Sequence, residues 1–417
     1  MPLLLLGYIA MLLYGSLYPF SGWVMPAEPL CGFLGSWPVR LEMADLVQNV
    51  LVYAPLGLLT VLWLVGNLRF WPALILTTLS GTAISFIIEN IQQFIPSRVA
   101  STSDVLMNLL GTFLGGIVAA FLSPETFSGA KLSALRNQWF RTGPLPNVGL
   151  ITLGLWTLSQ TSPLVPSLDI AHARHGLSLL LHSLQTPENV MISAMATYAL
   201  YITGLGLLAF TIEHRSKPVF VPFLILIAFV LLSKILVIGR QLSLEALAGA
   251  FIAVLALIPL RCIVKSGMAV CGLGITLIAT GFTLSELTSI PGLEKNAFNW
   301  IPFSGQMMSL NGFQDILEVF WPFFAIAYFT RSVTPVYQRD VTAFCGGLIV
   351  LSALFVLEWF QQNLAGRHGD ITQVLIGLSG WIIPWYIYAG NVRKGTATTL
   401  TEMPERGRFE QNNLKRY

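Results

Sequence analysis

About twelve apolar stretches divide this 417-residue sequence, and each is about as long as a helix must be to cross a bilayer. A backbone exposed to lipid must satisfy its hydrogen bonds internally, and a helix does so within one segment. The pattern therefore predicts an all-α fold, a polytopic membrane helical bundle. The predicted spans cover residues 3–20, 44–65, 70–95, 103–122, 147–163, 189–211, 219–238, 243–260, 267–290, 313–330, 341–363 and 371–390.

Composition supports a membrane protein and argues against a soluble domain and a nucleic-acid-binding protein. Hydrophobic residues make up 54% of the chain and charged residues 10%, against roughly 25% charged in soluble domains. The net charge of +3 is small and the basic residues are scattered, so we do not expect nucleic acid as a partner. The four cysteines form no CxxC pair, so we expect no disulfide framework, no metal site and no cofactor.

The basic residues predict the orientation of the chain. Most of the 23 Lys and Arg residues fall in connections that share a side with both termini, and the positive-inside rule places that side in the cytoplasm. Arg98, Arg240 and Arg367 are exceptions, one in each of three outer hairpins. Because each acts against the charge bias, we infer that each has a local role.

Related patterns in distant segments predict internal repeats. Glu89-x-x-Gln92-Gln93 recurs as Glu358-x-x-Gln361-Gln362, Arg98…Asp104 recurs as Arg367…Asp370, and a weaker echo begins at Arg240. We predict three four-helix units in the same orientation, covering 1–122, a degraded 147–260 and a divergent 267–390. A cytoplasmic linker (123–146) and a cytoplasmic tail (391–417) complete the chain, and we expect the tail to be disordered.

Polar residues concentrate in two of the predicted hairpins. Glu89, Gln92 and Gln93 share one helix face, Asp104 and Asn108 share a face of the next helix, and Arg98 lies between the two helices. A carboxyl group inside a membrane is costly unless it faces a partner or water. The predicted ligand-binding residues are Asn49, Glu89, Gln92, Gln93, Arg98, Asp104, Asn108, Glu358, Gln361, Gln362, Arg367 and Asp370.

Three interpretations of this cluster stay open. Arg98 could neutralise a carboxylate while the amides satisfy the remaining groups, which would pin the helices together. The cluster could instead form an outward-facing polar pocket for a headgroup. A third possibility is catalysis, with Glu89, Asp104, Glu358 and Asp370 as candidate acids and bases, although the sequence commits to no catalytic residue.

Three further features have structural interpretations. Gly111, Gly115 and Gly116 predict a small-residue stripe for close helix packing. The histidine-containing loop 164–189 is amphipathic, which predicts an interfacial helix. Lys234 lies just inside a predicted span, where it either extends outward or faces the bundle as a partner for Glu245 or a lipid phosphate.

The first unit carries an ordered set of motifs that resembles a known family. The residues are Tyr8, Pro19, Phe20, Asp45, Asn49, Pro55, Leu56, Gly57, Glu89, Gln92, Pro96, Arg98, Asp104, Asn108, Gly111 and Gly115. In order and spacing this set resembles the VanZ-like family of bacterial integral membrane proteins over about 1–122. The third unit resembles a divergent partial copy, with Val374 where the family's asparagine would fall.

The resemblance implies an envelope setting in the bacterial cytoplasmic (inner) membrane. The family takes its name from a member linked to low-level resistance to the glycopeptide antibiotic teicoplanin. Its long relatives resemble accessories of envelope or exopolysaccharide systems. The expected partners are membrane lipids, a lipid-linked glycan or envelope-assembly proteins.

The function we expect is the binding or handling of an amphiphilic envelope component through an outward-facing polar pocket. The component could be a lipid-linked glycan, a phospholipid or a glycopeptide-type antibiotic. A lipid or solute transporter or flippase is one alternative, and an intramembrane enzyme on an envelope lipid or glycan is another. We prefer a function without chemistry, because the polar residues alone do not distinguish hydrolysis, proton relay and packing.

Overall fold

A computed structural model describes residues 2–26, 30–35, 43–123, 125–167, 169–214, 216–264, 267–288, 297–306 and 312–401. The helices in these ranges are α1 (Pro2–Leu17), α2 (Met43–Leu64), α3 (Phe70–Gln92), α4 (Thr102–Leu122), α5 (Phe127–Trp139), α6 (Pro144–Thr161), α7 (Ile170–Gln185), α8 (Ile192–Ile212), α9 (Phe220–Leu236), α10 (Leu244–Ile263), α11 (Gly267–Leu287), α12 (Gly312–Val333), α13 (Arg339–Gln361) and α14 (Ile371–Thr401). Each predicted span coincides with one of these helices, which confirms the all-helical membrane bundle. Eight of the described helices are long and apolar enough to cross a membrane.

For description we divide the helices at the predicted units into three groups of four, and the repeat itself stays a prediction. The groups are α1–α4, then α6 with α8–α10, then α11–α14. The hydroxyl of Tyr14, near the end of α1, donates to the carbonyl of Pro302 before α12 (2.8 Å), so the first and third groups meet at one end. Arg240, before α10, lies near the carboxyl groups of Asp315 and Glu318 at the start of α12. We call this the hairpin end, defined by the connections 93–101, 237–243 and 362–370.

Close packing of the second helix on the fourth characterises the first group. A Cβ atom on Gly115 of α4 would lie 1.9 Å from the carbonyl oxygen of Ala54 on α2, and one on Gly111 would lie 2.4 Å from that of Val50. On α2, a Cβ on Gly57 would meet the carbonyl of Thr112 at 1.9 Å. The predicted glycine stripe is therefore confirmed as a packing surface. In the third group, a Cβ atom on Gly380 of α14 would lie 2.5 Å from the carbonyl oxygen of Phe320 on α12.

Helix α12 joins the second and third groups. Two thirds of its apolar window is buried, more than in any other candidate span of the described chain. Trp321, Phe324 and Phe329 belong to the largest hydrophobic core, which includes Leu205 and Leu208 of α8. The two groups therefore share one core.

Two sequence predictions on peripheral segments have different outcomes. The loop 164–189 contains α7, whose first turn is capped by Asp169 accepting from the Ala171 amide (3.1 Å), so the predicted helix is confirmed. The disordered tail stays a prediction, although the last helix, α14, runs on to Thr401. Residues 391–401, before Pro404, contain no proline that would interrupt the helical hydrogen bonds. Residues 402–417 lie outside the described chain.

Replacing Gly115 with alanine should destabilise the protein. The added methyl group would force the backbones of α2 and α4 apart, and overpacking of this kind costs about 1–3 kcal/mol. We expect Gly115→Ala to lower the free energy of unfolding in mixed detergent micelles by at least about 2 kcal/mol.

Gly154→Ala is the matched control. A Cβ on Gly154 of α6 meets nothing within 4 Å. Removing a helical glycine there should leave the free energy of unfolding unchanged or raise it by up to about 1 kcal/mol. Equal stability of the two variants would contradict close packing of α2 on α4.

Candidate functional site

Each of the three hairpin arginines binds the end of the first helix in its own group. Nε of Arg98 donates to the carbonyl of Tyr18 (3.1 Å) and its Nη2 to that of Gly15 (3.0 Å), at the end of α1. Arg240 donates in the same way to Ser162 (2.8 Å) and Ser159 (2.6 Å) at the end of α6. Because these carbonyls have no partner inside their helices, the guanidinium groups satisfy acceptors that lipid cannot.

Arg367 repeats this arrangement at the end of α11. Its Nε donates to the carbonyl of Thr288 (3.1 Å) and its Nη2 to that of Ser285 (2.5 Å). In all three groups the two carbonyls are three residues apart and lie on either side of the last helical residue. We call this interaction the arginine clamp. It gives each of the three arginines the local role that the charge pattern predicted.

In the first group the polar residues next to the clamp bind backbone. The carboxyl of Glu89 is 3% exposed and accepts from the amide of Ser101 (2.9 Å). Nε2 of Gln92 donates to the carbonyl of Ser16 (2.8 Å). With the described carboxylates Arg98 therefore forms no ion pair, because its Nε and Nη2 donors bind the carbonyls at the end of α1. These contacts connect α1, α3 and α4.

The other predicted residues of the first group lie around this cluster. Nδ2 of Asn108 donates to Oγ of Ser85 on α3 (2.9 Å), and Asp104 accepts from Oγ of Ser103 (3.3 Å). Gln93 donates to the side chain of Asn90 (3.4 Å). Asn49 on α2 is half-buried and forms no hydrogen bond with another described residue. The assignment of these residues to ligand binding stays a prediction.

The third group holds a denser polar cluster, which we call the α11–α13 cluster. The carboxyl of Glu286 accepts from Nε2 of Gln361 (2.8 Å) and lies 3.5 Å from Nη1 of Arg367. Gln361 also approaches Glu358 (3.4 Å), whose other oxygen accepts from the amide of Asp370 (3.0 Å). Sequence reasoning missed Glu286, although a carboxyl group inside a predicted span was a signal for it.

The structure corrects the predicted correspondence between Asp370 and Asp104. Glu89 accepts from the amide of Ser101, twelve residues on, and Glu358 accepts from that of Asp370, also twelve residues on. Asp370 then caps α14 by accepting from the amide of Thr372 (2.8 Å), as Ser101 caps α4. Asp370 therefore corresponds to the capping residue Ser101. The sequence comparison paired Asp370 with Asp104 because both are aspartates. Serine and aspartate can both cap a helix, so the residue type did not reveal that Asp370 corresponds to Ser101.

Other neighbours of the α11–α13 cluster support the hairpin. The buried carboxyl of Asp370 also accepts from Nε2 of Gln306 (3.3 Å), and Nε2 of Gln362 donates to the carbonyl of Trp359 (2.8 Å). Phe298, Trp300, Phe355 and Trp359 form an aromatic group whose ring centroids lie 4.5–6.4 Å apart. The hairpin end of the third group thus combines acidic, amide and aromatic side chains.

The second group keeps the clamp but lacks the carboxyl–glutamine set. Buried Lys234 donates to the hydroxyl of Tyr198 (3.3 Å), so it faces the bundle, while Glu245 accepts from the amide of Met191 (3.2 Å). Of the two predicted positions for Lys234 the structure shows the inward one, with a different partner. Burial lowers the pKa of the Arg240 guanidinium, and the nearby carboxyl group of Glu318 opposes this shift.

An apolar cavity of about 880 Å³ lies beside the α11–α13 cluster. It is formed by α11, α12 and α13, and its lining includes Ala279, Phe323, Ala353 and Leu357. Leu287 and Phe360 also line it, and each is the immediate sequence neighbour of a polar residue of the cluster. Sequence reasoning missed this cavity, because an unfilled space between helices leaves no signal in the hydropathy pattern.

Replacing Arg98 with lysine should weaken the clamp while keeping the charge. A lysine ammonium is a point donor and does not reproduce the forked geometry that bridges two carbonyls. Hydrogen bonds from charged groups contribute about 1.5–3 kcal/mol, so we expect Arg98→Lys to lower the free energy of unfolding by about 2 kcal/mol. Arg174→Lys is the control, since Arg174 is exposed on α7. An unchanged free energy of unfolding in Arg98→Lys would show that the clamp contributes nothing to stability.

Comparison with known proteins agrees with the resemblance seen in the first unit. The family model described as VanZ/LLP1 matches residues 6–123, which include α2–α4 and most of α1. A search of curated proteins and a search of solved structures each found no match. The matched segment contains the first arginine clamp and the Glu89 cluster. The first four-helix group of this membrane protein is therefore a VanZ-like unit.

Proposed function

We propose that the protein binds an amphiphilic envelope component, with its acyl chain in the cavity between α11 and α13 and its headgroup at the α11–α13 cluster. The observation that carries this proposal is that the apolar cavity is lined by Leu287 and Phe360, the sequence neighbours of Glu286 and Gln361, which hydrogen-bond to each other. An amphiphile needs an apolar surface for its chain and, next to it, a polar surface for its headgroup. This part of the molecule supplies both.

The size and lining of the cavity fit an acyl chain. Ligand pockets have volumes of roughly 300–1,000 Å³, and about 880 Å³ lies within that range. Ile349 and Val356 line the cavity and are 69% and 67% exposed, so the cavity opens laterally, where lipid would surround the bundle. A chain could enter from the membrane without passing through water.

Comparison of the third group with the VanZ-like unit supports chain binding in this cavity, which we call the groove beside α13. The clamps align Gly15 with Ser285 and Arg98 with Arg367. In this register Ala279 takes the place of Ile9, and Ala353 takes the place of Ile84. Both isoleucines pack against the core between α1, α2 and α3, whereas both alanines line the cavity. Small residues thus leave open a space that the first unit fills.

The polar end of the groove favours a headgroup with hydroxyl or amino groups. Glu286 is half-buried and offers a carboxyl oxygen, whereas the guanidinium of Arg367 is already occupied by two carbonyls and Glu286. Among the described residues, an anionic group would meet Glu286 beside a guanidinium that is already bound. A glycan or an amine headgroup would instead donate hydrogen bonds to this end.

Burial favours binding over catalysis. Glu358 and Asp370 are each 1% exposed, and both accept hydrogen bonds from backbone amides. A general acid or base must reach its substrate within hydrogen-bond distance or through one water molecule. The enzyme and transporter alternatives stay predictions from the sequence.

The double variant Ala279→Ile/Ala353→Ile tests the proposal. It copies the side chains of the VanZ-like unit and should fill the groove without disturbing the clamp. Native mass spectrometry and lipid analysis of the purified protein should show at least about a fivefold loss of the co-purifying amphiphile, which corresponds to about 1 kcal/mol. Thermal stability should stay equal or rise, because added apolar volume fills a cavity.

Ala269→Ile is the control for this experiment. Ala269 lies exposed on α11 and does not line this cavity. The amphiphile should remain bound in this variant. If the double variant keeps the amphiphile at the wild-type level, the groove is not the binding site and the proposal is wrong.

A further inference from the structure

A second cavity lies at the end of the bundle opposite the hairpin end. It has a volume of about 630 Å³ and is formed by the ends of α6, α8, α10, α11 and α12. Its polar lining includes Arg141, Thr211, Glu213, Arg261 and Tyr328. It therefore sits between the second and third groups, separate from the groove beside α13.

Two guanidinium groups bind Glu213 in this cavity, one through its carboxylate and one through its backbone carbonyl. Nη2 of Arg261 lies 2.8 Å from Oε1 of Glu213, and Nε of Arg141 donates to the backbone carbonyl of the same residue (3.0 Å). The second carboxyl oxygen of Glu213 accepts from the amide of Val219 (3.2 Å). The charged lining therefore has one positive charge in excess, and both oxygens of its carboxylate are occupied.

The two arginines are held in place but keep free donors. The guanidinium of Arg261 also lies over the ring of Phe210, 5.4 Å from the ring centroid. Within the described chain, the Nη atoms of Arg141 and Nη1 of Arg261 form no hydrogen bond. Guanidinium groups bind phosphate oxygens through paired N–H donors, which makes phosphate a better match than a cation or a neutral group.

The rest of the lining divides into hydroxyl and apolar surfaces. The hydroxyls of Thr211 and Tyr328 lie 2.6 Å apart, and Oγ of Ser332 donates to the Tyr328 carbonyl (2.8 Å). The apolar lining includes Leu207 and Met268. The hydroxyl protons are thus used within the protein, and the donors for an anion are those of the two arginines, next to a surface for a hydrocarbon chain.

We propose that this cavity binds a phosphate-bearing amphiphile, with the phosphate at Arg141 and Arg261 and the apolar part against α8, α10 and α11. The chemistry is common to an anionic phospholipid and to a soluble phosphate ester with an apolar group. This inference does not rest on the groove beside α13, which has the opposite charge character.

The test measures binding to the full-length protein in detergent micelles by native mass spectrometry. The probes are phosphatidylglycerol, diacylglycerol as a lipid without phosphate, and glycerol phosphate as a soluble competitor. Arg141→Gln removes one guanidinium, and Gly267→Phe fills the cavity. Gly267 lines the cavity, and a Cβ there meets nothing within 4 Å. Arg69→Gln is the charge-matched control, since Arg69 is exposed in another connection.

We expect phosphatidylglycerol to bind the wild type and Arg69→Gln equally. Its affinity should fall at least about tenfold in both Arg141→Gln and Gly267→Phe, and diacylglycerol should bind weakly to all forms. Competition by glycerol phosphate would identify a soluble ester as the ligand type, and its absence would identify a lipid.

Two results would overturn the proposal. One is phosphatidylglycerol affinity that is unchanged in Gly267→Phe, since that variant does not depend on the arginine network for its folding. The other is diacylglycerol binding as tight as that of phosphatidylglycerol, which would make the cavity purely apolar. The double variant that fills the α13 groove should leave binding here unchanged, so failure of the proposed function and failure of this inference are distinguishable.

Discussion

A helix that ends at a membrane surface leaves its last four carbonyl groups without intrahelical partners, and hydrocarbon supplies no donors. The arginine clamp satisfies two of these carbonyl groups in each of the three groups, each time with one arginine side chain. Each guanidinium bridges two carbonyls at the end of a first helix, while its own residue lies between the third and fourth helices. The clamp therefore satisfies orphan acceptors and closes a four-helix group. Arginine suits both tasks, because its donors are fixed in a fork.

The clamps also support the hypothesis that the three groups descend from one repeat. The Nε donor and its acceptor carbonyl are 80, 78 and 79 residues apart in the first, second and third groups. Unrelated helical hairpins would have no reason to share this spacing. The side chains around the clamp differ, since the second group lacks the carboxyl–glutamine set and the third adds Glu286. The clamp is constant where its surroundings vary, as expected of an element that the fold requires.

The sequence predicted the helices well and the hydrogen-bond partners of the polar side chains poorly. The twelve spans follow from hydropathy, and the contacts of Gly111 and Gly115 follow from small residues spaced along one helix face. The roles of Arg98 and Glu89 were harder, because a sequence shows side chains and not the backbone carbonyls and amides that these residues bind. Asp370 was paired with Asp104 by residue type, whereas hydrogen bonding pairs it with Ser101. The two cavities depend on how helices from distant segments fit together, which no local pattern records.

The two cavities differ in charge, and this difference bears on transport. The groove beside α13 is lined by Leu287, the neighbour of Glu286, whose guanidinium partner is already bound, while the cavity at the opposite end carries two arginines against one carboxylate. A single lipid carried across the membrane would have to suit both ends. A phosphate that binds Arg141 and Arg261 would meet at Glu286 a carboxyl group whose guanidinium partner is already bound, and an amine that binds Glu286 would be repelled at the arginines. If both proposals hold, the two ends retain different lipids, and the charge pattern favours anchoring and recognition over the movement of one lipid between them.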